Sequence, residues 1–231
     1  MEKKKLFELN SQEYEHPVDR AALKYLSKLP GFDTATKFLI NWGYVKWHLI
    51  DLRGSNFHVT EQSCPELYNQ VKSLAEILDV STQDFPEIYT EWGYFINAYT
   101  TGCDQDTLLT IYSGAVDLLT KDQLDYIIGH ELGHLINKDG IVSFYFNLKY
   151  KKSGAPKKIA HQFNVYRLLS ELEADRYAYL ACGDLDTCIS YEYKRIGGID
   201  IKKFGVPTNQ FIEGNHKRVQ MFFDGGQIGS N

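Results

Sequence analysis

The sequence predicts an α+β fold, mainly helical, with a small mixed sheet packed against two long helices. Three observations carry this expectation. Apolar residues recur at helical spacing through 17–52, 65–78, 120–137 and 159–181. Short runs rich in β-branched and aromatic residues lie between them, at 56–60, 87–89, 94–100 and 108–112. Glycine and proline mark several of the joins, at Pro30-Gly31, Gly93, Gly102, Gly114, Gly140 and Gly197-Gly198.

Taken in order, residues 17–52 read as two helices broken at Pro30-Gly31, and a turn at Arg53-Gly54-Ser55 leads into the first strand. Pro65 suits the first turn of a helix reaching about Leu78, where its missing N–H costs nothing. Three strands follow, with Gly93, Gly102 and Ser113-Gly114 between and after them. Ala115 to Leu119 then reads as a short helix. Thr120, with Gln123 three residues on, has the form of a capping box for a helix running to about Asn137, with Gly140 just past its end. KYKKSGAPKK, 149–158, reads as an exposed basic loop. A long helix over 159–181 and a shorter one over 186–196 complete the order, the latter stopped by Gly197-Gly198. The end, DGGQIGSN, reads as a disordered tail.

Composition excludes several functions. The chain has 231 residues, 43% hydrophobic and 24% charged, which suits one globular domain without disulfide or metal staples. Its net charge is −5, so it carries no basic footprint for nucleic acid. No run reaches the roughly 18 apolar residues of a membrane span. MEKKKLFELN lacks the apolar segment of a secretory leader, and the expected location is cytoplasmic. Cys64, Cys103, Cys182 and Cys188 are too irregular for a disulfide framework or a cysteine zinc site and read as free thiols.

One motif carries chemistry: His130-Glu131-Leu132-Gly133-His134. On a helix, positions four apart differ by about 40° and one turn of rise, so both imidazoles leave one face at a spacing that a single Zn²⁺ accepts. Glu131 lies on the same side, within reach of a water between them. Leu124, Ile127, Ile128, Leu132 and Leu135 give the helix a buried side. Histidines and a glutamate beside that core are costly without a metal or full hydrogen bonding.

A catalytic zinc takes three protein ligands and keeps one position open. In the helix of 159–181, Glu171 and Asp175 share a face, while Glu173 points about 200° away from Glu171. Glu171 is read as the third ligand, and Asp175 as an acceptor that orients one histidine. Ala174 and Ala178, facing Gly129 and Gly133, would let the two helices approach closely.

With these residues the sequence resembles the HtpX-like and prenyl-protein (CAAX) endopeptidases, zinc metallopeptidases of the gluzincin type. HELGH matches the first helix of that family, and SELEADRYA at 170–178 resembles its E-x-x-A-D segment. YEHPVDRAAL at 14–23, INAYTTG at 96–102 and SGAVDLLTKDQLDYII before the motif add to the likeness and suggest a soluble branch.

The resemblance implies a zincin-like fold in one metallopeptidase domain. Its parts would be a lead-in at 1–15, an N-terminal helical region at 16–80, a core at 81–212 and a tail at 213–231. It implies zinc-dependent hydrolysis of peptide or unfolded-protein substrates, with Glu131 as general base. It also places Asn97 and Ala98 on an edge strand that binds substrate through its main chain. The family's His-Pro with a later Arg is missing here. Asn215-His216-Lys217-Arg218 is the nearest match, with His216 as oxyanion stabiliser or proton donor, or else part of an exposed basic loop. The alternative to an active enzyme is a latent or non-cleaving fold of this type that binds peptides or partners. The sequence contains no readable specificity pocket and fixes no oligomeric state.

Overall fold

The computed structural model describes residues 17–32, 44–103, 106–150 and 154–200, with Gly205 and Glu213 beyond them. Its helices are α1 (Pro17–Ser27), α2 (Tyr44–Ser55), α3 (Pro65–Ile77), α4 (Ser113–Leu118), α5 (Lys121–Asn137), α6 (Asp139–Tyr150), α7 (Lys157–Cys182) and α8 (Leu185–Gly197). Its strands are β1 (Phe57–Val59), β2 (Glu87–Glu91), β3 (Ala98–Cys103) and β4 (Asp106–Tyr112). The sheet order is β1-β2-β4-β3, with β2 and β4 parallel and the outer pairs antiparallel. The expected architecture, mainly helical with a small mixed sheet, is present.

The main core lies between the sheet, α3, α5 and α7, around Val71, Leu74, Ile88, Ile111, Ile128 and Leu132. On the other sheet face, Leu49 and Leu52 of α2 pack against Tyr89 and Leu108. A separate cluster joins α1, α6 and α7 through Leu26, Val142, Phe163 and Tyr166.

Helix α5 opens as its sequence requires. The Thr120 hydroxyl accepts from the Gln123 N–H, and the Gln123 side chain accepts from the Thr120 N–H. Two orphan donors of the first turn are satisfied reciprocally. At its far end the sequence reading needs correction. Lys138, at φ 58°, takes the left-handed capping position, and Gly140 already belongs to the next helix. That helix, α6, was not anticipated. The strand expected over 94–100 is also displaced: residues 92–97 form an irregular loop, and β3 begins at Ala98.

The small residues do what their size permits. A methyl on Gly129 would stand 2.4 Å from Ala181 Cβ and 3.1 Å from Ala178 Cα. On Gly133 it would stand 2.8 Å from the Tyr177 ring and 3.1 Å from Ala174 Cα. Both are closer than real side-chain contacts allow, so only glycine lets α5 and α7 meet at this separation. That separation brings residues of the two helices to one point.

Candidate metal centre

His130, His134 and Glu171 converge between α5 and α7. His130 Nε2 and His134 Nε2 are 3.1 Å apart, and Glu171 Oε2 lies 3.5 Å from the first and 4.0 Å from the second. A point in the plane of these three atoms is about 2.1 Å from each, within the range of Zn–N and Zn–O bonds. The donor set, two imidazoles and one carboxylate, is that of a catalytic rather than a closed structural zinc site. These residues fit the ion the sequence implied.

The opposite nitrogen of each ring is held by a carboxylate. His130 Nδ1 is 3.0 Å from Asp175 Oδ1, and His134 Nδ1 is 2.8 Å from Asp139 Oδ2. With the ring proton drawn to Nδ1, each Nε2 presents its lone pair inward. Behind each carboxylate stands a tyrosine: Tyr126 donates to Asp175 at 3.0 Å, and Tyr166 donates to Asp139 at 2.5 Å. Tyr126 precedes His130 by one helical turn, so both reach the same carboxylate from one face of α5.

The electrostatics follow from this packing. Burial works against a charged His130, but bonds to Asp175 and Glu171, with the field of Glu131, raise its pKa to about 10 without metal. His134 is also raised, burial being outweighed by Asp139 and Glu131. Glu171 is lowered, chiefly by its bond to His130. Glu131 goes the other way. Its burial raises its pKa against the opposing pull of both histidines and a 3.3 Å hydrogen bond from the Thr100 hydroxyl.

Thr100 lies on β3, an edge of the sheet among the described residues. The Tyr112 N–H donates to the Asn97 carbonyl, which makes 97 and 112 a hydrogen-bonded pair. By the two-residue alternation of an antiparallel ladder, the main-chain groups of Ala98, Thr100 and Gly102 point away from β4. The Thr100 N–H accordingly faces the Glu131 carboxylate. Asn97 lines the cleft of about 380 Å³ that contains His130, Glu131 and Glu171. The Ala98 side chain is turned into the core, 3% exposed, so only its main chain faces the open edge.

His216 lies outside the described residues. The sequence reading missed Asp139, which stands five residues after His134 where a helix end was expected. It also missed Tyr126, Tyr166 and Thr100, and the α8 residues Tyr191, Glu192 and Arg195 that line the cleft. Glu173 does point away from Glu171: it is buried and accepts from Asn137.

Residues 61–154 match the model of peptidase family M48, a span that contains α5 and both histidines. Over that span this chain is similar to the M48 peptidases. The likeness extends past the matched span in the plastoglobule-localized metallopeptidase 48, chloroplastic, of Arabidopsis thaliana. That protein is 25% identical over 89% of this chain and 62% of its own length. A protease HtpX homolog of Trichormus variabilis is 33% identical over 35% of this chain and 27% of its own. The chain therefore spans less than two thirds of these relatives. The solved structure of Ste24p from S. mikatae aligns with 80% of this chain and 56% of its own, at 16% identity and a TM-score of 0.41. Glu171 lies beyond the matched M48 span, and the geometry of α7 is what joins it to the motif. No described helix is long and apolar enough to cross a membrane.

Proposed function

We propose that this chain is a zinc-dependent metalloendopeptidase acting on peptides or unfolded protein. The supporting observation is the pairing of a complete His130–His134–Glu171 donor set with a buried carboxylate, Glu131, beside it. Zinc bound there would supply Lewis-acid polarisation of the scissile carbonyl and lower the pKa of water in the open position. Glu131, whose pKa burial raises, takes the proton of the attacking water and delivers it to the departing amine. Asp175 and Asp139 hold the two imidazoles in the ligating tautomer. Substrate adds to the open edge of β3, hydrogen-bonding the main chain of Ala98 and Thr100, with Asn97 at the cleft wall.

The test is metal content by elemental analysis beside hydrolysis of a peptide library. About one zinc per chain is expected, lost in Glu171→Ala and His134→Ala. In Glu131→Gln the zinc should stay, while turnover falls about 10²- to 10⁴-fold. A Glu131→Gln protein that still cleaves peptides would falsify the assignment.

A further inference from the structure

The loop before β3 carries Trp92, Tyr94 and Phe95, exposed to 91%, 72% and 65%. Three large aromatic rings in four residues, left in water, forgo the stabilisation that burial would return. The loop holding them is fixed. The Gly93 carbonyl accepts from the Gly114 N–H at 2.9 Å, and the Gly93 N–H donates to Ser113 Oγ at 3.2 Å. A methyl on Gly114 would stand 2.7 Å from the Phe95 nitrogen, so α4 meets the loop backbone directly. The Phe95 ring packs edge-on against Tyr112 at 5.6 Å, and Tyr112 in turn lies against Tyr99.

We infer that this aromatic ledge binds apolar residues of the polypeptide lying along β3, at a fixed distance from the bond to be cut. This rests on the peptidase reading and adds a substrate class to it. The argument is continuity. The loop runs into Asn97 at the cleft wall and then into the outward-facing main chain of Ala98 and Thr100. Thr100 sits beside Glu131, and Phe95 is five residues upstream, at most about 16 Å of extended chain. A bound strand covers that distance in about five residues. Charge selects a polypeptide over an anionic lipid surface: between Lys72 and Lys121 the sequence has no lysine or arginine, while Glu91 adjoins the loop. The substrates are extended, unfolded segments with an apolar residue about four to six positions to one side of the scissile bond.

The probes are fluorescein-labelled peptides of about twelve Gly, Ser and Thr residues. One carries a Leu-Phe pair near its N-terminus, one near its C-terminus, and one carries none. Anisotropy is read on zinc-loaded Glu131→Gln protein, with and without Trp92→Ser/Tyr94→Ser, the two most exposed rings, so that no cleavage intervenes. The expected result is that one apolar peptide binds at least about tenfold tighter than the polar one, and that the double substitution removes this gain while leaving the melting temperature unchanged. Equal binding of all three peptides, or a gain that survives the substitution, overturns the proposal. So does aromatic-dependent association with phosphatidylcholine vesicles or with a second copy of the chain in place of peptide. Hydrolysis by the native protein is measured in parallel. If it is absent while aromatic-dependent binding persists, the peptidase reading falls and the ledge stands. Hydrolysis with aromatic-independent binding gives the reverse.

Discussion

Gly129→Ala isolates the contact on which the metal centre depends. The added methyl would lie 2.4 Å from Ala181 Cβ, whereas two carbons pack at about 3.5–4.0 Å, so α5 and α7 must part by more than about 1 Å. Backbone contacts at 3.1 Å to Ala178 and 3.3 Å to the Tyr177 carbonyl leave no sideways escape. Overpacking of this kind costs about 1–3 kcal/mol, and the better helix propensity of alanine returns up to about 1. The expected loss is about 1–2 kcal/mol, or about 2–8 °C in melting temperature for a domain of this size. The displacement also exceeds the roughly 0.5 Å within which a site must be held, because Glu171 rides on α7 while both histidines ride on α5. Zinc affinity should therefore fall at least about tenfold. Thermal unfolding and zinc titration would be read on Gly129→Ala, Ala181→Gly and the double variant, in which the clash is relieved and much of both losses recovered. If Gly129→Ala equals or exceeds the native protein in stability and binds zinc unchanged, close helix approach is not what assembles the ligands.

Asp139→Asn should weaken zinc binding about 10- to 100-fold, since a neutral amide has one acceptor oxygen for two donors, His134 Nδ1–H and Tyr166 O–H, and Tyr166→Phe should weaken it less; titration would order the two. A chelator should lower the melting temperature of the zinc-loaded protein and leave that of Glu171→Ala unchanged, as seen by calorimetry. Arg53 grips Glu87 through two hydrogen bonds, at 2.7 and 3.0 Å; burial raises the Glu87 pKa, but Arg53, the Tyr89 hydroxyl and His58 together lower it. That pair contributes stability above the ordinary carboxylate pKa and loses it as pH falls through the lowered one. With both partners at least one-third exposed, the contribution is a fraction of about 1 kcal/mol, and Glu87→Gln should flatten this part of a pH–stability curve.

The parts legible in the sequence share one property: their signal is local and periodic. Thr120 and Gln123 announce the start of α5 because a capping box needs nothing beyond four residues. His130 and His134 are readable for the same reason, as are Glu171 and Asp175 on one face of α7. The alternation of glycine with alanine on the two helices could be read because close packing leaves only small side chains. Asp139 was hidden because its partner depends on how the chain turns after Lys138, and a left-handed lysine leaves little trace in sequence. Tyr166 could not be tied to the site before α6 was known to lie between it and the motif. The start of β3 was misplaced because Tyr94 and Phe95 have strand propensity, while contacts with Gly114 and Ser113, some 20 residues distant, hold that stretch in a loop.

The two histidines sit one turn apart, yet they are anchored in different parts of the molecule. His130 is tied through Asp175 and Tyr126 to the main core beneath the sheet, whereas His134 is tied through Asp139 and Tyr166 to the cluster that α1 and α6 form on α7. Local opening can release one cluster while the other stays folded. The α1–α6 cluster supplies no ligand, yet its opening would free His134 to turn. Metal affinity would then report how firmly α1 is docked, and a substitution at Leu26, remote from every donor atom, would change the rate at which the ion leaves.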